Sequence, residues 1–82
     1  MPTVFTFNGL RVVIYLNDHR PAHVHVLGNG CQAIFIMNCP DGPPTLRENM
    51  GFKARELASI ARSLHDARKT ACDEWTRLHG AF

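Results

Sequence analysis

Apolar residues alternate with polar ones through roughly the first 37 positions, then recur every third or fourth residue from about position 52 onward. The first period is that of β-strands and the second that of helices. Val4-Phe5-Thr6-Phe7 reads as a short strand with Phe5 and Phe7 on one face. Asn8-Gly9 then matches the pair favoured in a two-residue hairpin turn. Leu10 to Leu16 predicts a second strand, with Leu10, Val12, Ile14 and Leu16 on one side and Arg11, Val13 and Tyr15 on the other. Both sides are largely apolar, as expected of an interior strand. Asn17 to Pro21 reads as a loop, because Asn and Asp build turns with their own side chains and Pro fixes φ. Ala22 to Leu27 is a third strand with Val24 and Val26 on one face and His23 and His25 on the other. Gly28-Asn29-Gly30 is a turn, and Cys31 to Met37 a fourth strand.

Asn38 to Gly51 carries Pro40, Gly42, Pro43 and Pro44, and is expected to be an irregular connection. Beyond it, Leu57, Ile60, Ala61, Leu64, Ala67, Ala71, Trp75 and Leu78 fit one helical face. One straight helix over this length would run roughly 40 Å at 1.5 Å per residue, longer than a small sheet can cover. A break is therefore expected near His65-Asp66, with Asp66 capping a second helix, and Gly80 fits a helix end. The expected fold is α+β: a four-stranded antiparallel sheet of two hairpins, followed by one bent or two C-terminal helices. It forms a single domain over 1–82, with a sheet half over 1–37, a loop over 38–51 and a helical half over 52–79.

Composition changes this picture little. The chain has 82 residues, 45% of them hydrophobic, and a formal net charge of +2, too weak to argue for nucleic acid on charge alone. Cys31, Cys39 and Cys72 are odd in number and lack CxxC spacing, so free thiols in a reducing cytosol are expected. No signal peptide and no membrane span is expected, which points to a cytoplasmic protein. Trp75 is expected in the core, and His65 and His79 on the surface.

Candidate chemistry concentrates in Asn17-Asp18-His19-Arg20-Pro21-Ala22-His23-Val24-His25-Val26. Three readings of it stand side by side. In the first it is catalytic. Histidine works as general acid or base near neutral pH, and His19, His23 and His25 would supply both. Asp18 would orient a tautomer, while Arg20 and Asn17, with Arg55 from the helical half, would hold substrate. A histidine pair and an arginine suffice for metal-independent RNA cleavage, because the ribose 2′-hydroxyl is the nucleophile. In the second, His23 and His25 with His19 or Asp18 form an open three-ligand metal site. In the third, the histidines decorate a solvated sheet face and Asn17 and Asp18 only build the turn. The favoured expectation includes no cofactor and no metal.

These residues resemble a bacterial family catalogued mainly as a domain of unknown function. Met1-Pro2-Thr3-Val4 and the Asn17–Val26 stretch are similar to its MPT start and its N-D/E-H-x-P-P-H-V/F-H-V motif. Gly51-Phe52-Lys53-Ala54-Arg55-Glu56-Leu57 is similar to its G-F-S-A-R-E-L segment, and Trp75 to a late helical tryptophan. The resemblance implies a gene placed beside a second small gene, some such pairs being toxin–antitoxin modules with this type of domain as the toxin. It thus implies a cognate small protein as partner; action on RNA or translation is expected from the catalytic reading of the histidines, not from the resemblance. Self-association is a further expectation, from the apolar residues on both faces of the second strand. Alternative readings are a non-enzymatic binding module and a small metal-binding protein. The chain departs from the family pattern at Gln32, where a Glu is usual, at Ala22 for the second Pro, and at Lys53 for a helix-starting Ser.

Overall fold

The computed structural model describes residues 3–82; Met1 and Pro2 of the MPT start lie outside the described residues. Five strands, β1 (Thr3–Phe7), β2 (Leu10–Val13), β3 (His23–Gly28), β4 (Cys31–Ile36) and β5 (Thr45–Met50), are followed by helices α1 (Ala54–Asp66) and α2 (Arg68–His79). The strands form one antiparallel sheet in the order β1-β2-β3-β4-β5. None of the described helices is long and apolar enough to cross a membrane.

Two of the sheet's turns follow from local chemistry. Asn8-Gly9 and Asn29-Gly30 both have positive φ at both positions (49° and 77°, 53° and 74°). That is the geometry of the hairpin turn that matches strand twist. The pairing Val12↔Val26↔Ala33 and Val24↔Phe35 then collects the small and apolar side chains on one face. Phe52, Ile60, Leu64, Ala71, Cys72 and Trp75 of the helical half close the core over them. Ile14 and Met37, just beyond their strands, are also fully buried.

The sheet has five strands, not four. The fifth lies inside the 38–51 segment expected to be irregular. All six residues of β5 are exposed, and Thr-Leu-Arg-Glu-Asn-Met has no alternation to betray a buried face. What makes it a strand is its hydrogen bonding to β4, from Gln32↔Met50 to Ile36↔Thr45. Charged residues on a sheet edge also discourage pairing with other chains. The second strand ends at Val13 rather than running to Leu16, which is 70% exposed.

The helical half does divide, at Ala67, whose N–H bonds back to Ser63 and His65 carbonyls. Asp66 does not cap the second helix: it is the last residue of α1, and α2 starts without a side-chain cap. At the start of α1, Glu56 accepts a hydrogen bond from the Lys53 backbone N–H, so one orphan donor is met without a Ser at position 53. Outside, Arg77 hydrogen-bonds Glu74 and holds its carboxyl below the ordinary carboxylate range.

The thiol expectation is corrected as well. Cys39 and Cys72 form a disulfide, with Cα atoms 5.8 Å apart and a sequence separation of 33. The bond ties the loop after β4 to the middle of α2. Cys31 alone is a free thiol.

Candidate functional site

Sheet register puts His23 and His25 on the face opposite the valine core. His25 pairs with Val13 on β2 and Ile34 on β4, and Ile34 pairs with Glu48 on β5. Val13, His25, Ile34 and Glu48 thus form one row across four strands. The loop Asn17–Pro21 sits at one end of this face and is tied down by backbone groups. The Tyr15 N–H donates to Asp18 Oδ2 at 2.9 Å, and the Asp18 N–H donates to the Tyr15 carbonyl at 3.1 Å. From the far end of the chain, His79 Nε2 donates to the same carbonyl at 3.0 Å, since a carbonyl can only accept. The Ala22 N–H reaches the Phe82 carbonyl at 3.1 Å.

The two histidines are not solvated, which corrects the expectation of an open sheet face. His23 and His25 are only 7% and 9% exposed. The His25 ring lies edge-on to Tyr15 at 4.6 Å, and the His23 ring stands 5.3 Å from Trp75 and 5.2 Å from His25. Trp75 is buried, and its indole N–H donates to the Ala81 carbonyl. The His79 ring lies tilted against Trp75, with centroids 4.5 Å apart, and is only partly exposed. His65 is likewise half-buried, its Nδ1 without a partner among the described residues, rather than free on the surface.

Asp18 is the meeting point. Its carboxylate lies 3.5 Å from His23 Nε2 and 3.3 Å from His25 Nε2. His23 Nδ1 contacts the Pro21 carbonyl at 2.9 Å. That carbonyl can only accept, so Nδ1 carries the proton and neutral His23 turns the lone pair of Nε2 toward Asp18. His25 Nδ1 is buried and meets no partner among the described residues. Asp18, His23 and His25 each offer a ligand atom, all within 4.8 Å of one another, so they are the residues able to hold an ion.

Above this cluster opens a hollow of about 340 Å³, lined by Asn17, Asp18, His19, Arg20, His23, Ile34, Arg47 and Glu48. Five of the seven residues singled out from the sequence line it. His25 lies beneath, behind Asp18. Arg55 lies elsewhere, in a separate hollow with Phe7, Asn8 and Ser59. Gln32 stands on the His25 face two residues from Ile34 and does not line the hollow.

Four residues of the site have no signal in the sequence motif. Arg47 and Glu48 arrive only through the pairing of β5. Tyr15 acts through its backbone and ring edge, and Trp75 from a helix some fifty residues on. The helical spacing of Trp75 identifies it as core but does not say that it backs a histidine.

A family model described as a domain of unknown function, DUF4160, matches residues 9–76. That span includes every residue lining the hollow, and Trp75. No curated protein and no solved structure is significantly similar to the chain. Because the match covers most of its length, from the β1–β2 turn to the last turns of α2, the chain belongs to the DUF4160 family.

Proposed function

We propose that the chain is an RNA-cleaving toxin of a two-gene pair and that the hollow above Asp18 is its site. The observation that carries this reading is the meeting of two guanidinium groups, Arg20 and Arg47, with two imidazoles, His19 and His23, around one cavity. Guanidinium forks suit phosphate oxygens, and paired imidazoles suit proton transfer at the two ends of a phosphodiester. Ile34 is the only apolar residue in the lining. A hollow so polar fits a small charged group better than the apolar anchor of a protein-docking module.

The chemistry needs no nucleophile from the protein. His23 Nε2 takes the proton of a ribose 2′-hydroxyl, and the 2′-oxygen bonds to phosphorus. The bond from phosphorus to the 5′-oxygen breaks, and that oxygen takes a proton from His19. The products are a 2′,3′-cyclic phosphate and a 5′-hydroxyl. Arg20 and Arg47 hold the phosphate, and Asp18 faces the imidazole that becomes charged. The toxin assignment is supported by the family resemblance and its paired genes, which also imply a cognate antitoxin.

The test is induction of the chain alone, then together with the product of the adjacent gene. Wild type should arrest growth, and the neighbour should relieve the arrest. His19→Ala and Arg47→Ala change exposed side chains, so they should fold normally while losing toxicity. The rate loss expected on removing an acid–base group is about 10²–10⁴-fold. Unimpaired growth with folded wild type, or full arrest by the His19→Ala, Arg47→Ala double variant, would end this reading.

A further inference from the structure

We infer that Asp18, His23 and His25 bind a divalent transition-metal ion of the zinc type. The distances suit a coordination shell, though His25 Nε2 also lies within hydrogen-bonding reach of the carboxylate at 3.3 Å. Charge-assisted N–H···O contacts run about 2.7–2.9 Å, yet the two imidazole nitrogens stand 3.5 Å and 3.3 Å from the carboxylate. Four ligands on a tetrahedral ion with bonds of about 2.0–2.1 Å lie roughly 3.3–3.4 Å from each other. The two carboxylate–imidazole edges therefore match those of a coordination shell, and all three ligand atoms lie within 4.8 Å of one another.

Two further features agree. The Pro21 carbonyl fixes the His23 proton on Nδ1, which leaves the Nε2 lone pair aimed at a carboxylate oxygen. In the neutral ring two acceptors then face each other and repel unless a proton or a metal cation lies between them. Second, the outer shell is built around two of the three ligands, His23 and Asp18, while His25 Nδ1 meets no partner among the described residues. Metal-bound histidines commonly give their other N–H to a backbone carbonyl, as His23 does to Pro21. The carboxylate is held in turn by the Tyr15 N–H. Two imidazoles and one carboxylate are a set for zinc or its transition-metal neighbours, whereas magnesium and calcium favour all-oxygen shells. Asp18 and His23 both line the hollow, which leaves the remaining coordination position for water or substrate.

The site stands on this geometry alone; its chemical role rests on the phosphodiester reading above. With the ion bound, His23 is a ligand and no longer takes the proton. The ion held by Asp18, His23 and His25 would supply a bound water of lowered pKa as the base for the 2′-hydroxyl, and His19 would still protonate the departing 5′-oxygen.

The test uses the full chain without RNA. After EDTA treatment and desalting, Zn²⁺ is titrated by calorimetry and Co²⁺ by visible absorption. The expected result is one ion per chain, with Co²⁺ bands of a nitrogen and oxygen shell, unchanged in Cys31→Ser and His65→Gln. Losing an outer-shell partner costs about 10–100-fold in affinity, so Asp18→Ala and His25→Ala should cost at least as much. No stoichiometric binding by folded wild type, binding lost in Cys31→Ser, or binding that survives in the folded ligand variants would overturn the site. Should those variants not fold, the Co²⁺ spectrum of wild type decides: sulfur-to-cobalt bands refute the assignment. Because binding is read without RNA, its failure is separate from any failure of cleavage.

Discussion

Trp75→Ala should cost about 3–5 kcal/mol, the usual range for truncating a fully buried tryptophan. Trp75 is 1% exposed and lies in the core made by the sheet's valine face and the two helices. The indole also touches the rings of His23 and His79, and its N–H reaches the Ala81 carbonyl. Removing it opens a cavity beside the candidate site and frees the chain end that holds Ala22. Small domains have roughly 5–15 kcal/mol of stability in total, so this one change would consume a large share. Urea unfolding followed by circular dichroism reads the loss. Trp75→Phe keeps most of the bulk and should lose only part of it. A stability loss under about 1 kcal/mol for Trp75→Ala would show that the helices are not held as described.

Reduction of the Cys39–Cys72 bond, or the double change to serine, should lower stability by about 3–4 kcal/mol on the chain-entropy account for a loop of this length. With about 4–8 °C per kcal/mol for a domain of this size, the melting temperature should fall by about 15–30 °C. The effect is large because the bond joins the two layers of the fold, the loop after β4 and the middle of α2. Thermal melts with and without reductant measure it, with Cys31→Ser as a reference for the free thiol. Identical melts in the two conditions would mean that the sulfurs are not bonded in the protein.

The strand faces and hairpin turns were legible because they depend on neighbours in sequence. Alternation assigns Val24 and Val26 to one face and His23 and His25 to the other, and two Asn-Gly pairs mark the turns. The change to helical period marks the second layer. β5 was not legible: its residues are all exposed, so no burial pattern is written into them, and its existence depends on the free edge of β4. The disulfide was hidden for a related reason, since spacing does not say which distant cysteines meet. Burial of the histidines was hidden too. It comes from Tyr15 and Trp75, one bent back by the Asp18 turn and the other carried in by α2. Arg47 and Glu48 complete the hollow only once β5 is paired, so a motif search around Asn17–Val26 finds one wall of the site and misses the other.

The most direct test of the RNA-cleaving assignment is the chemistry of the cut ends. Purified wild type is incubated with total RNA and with mixed-sequence oligoribonucleotides, and then with the same oligonucleotides lacking 2′-hydroxyls. Cleavage by the 2′-hydroxyl leaves 2′,3′-cyclic phosphate and 5′-hydroxyl ends, requires His19 and Arg47, and spares the deoxy substrates. Intact RNA after incubation with protein from cells it has arrested, or cleavage of the deoxy substrates, would contradict it.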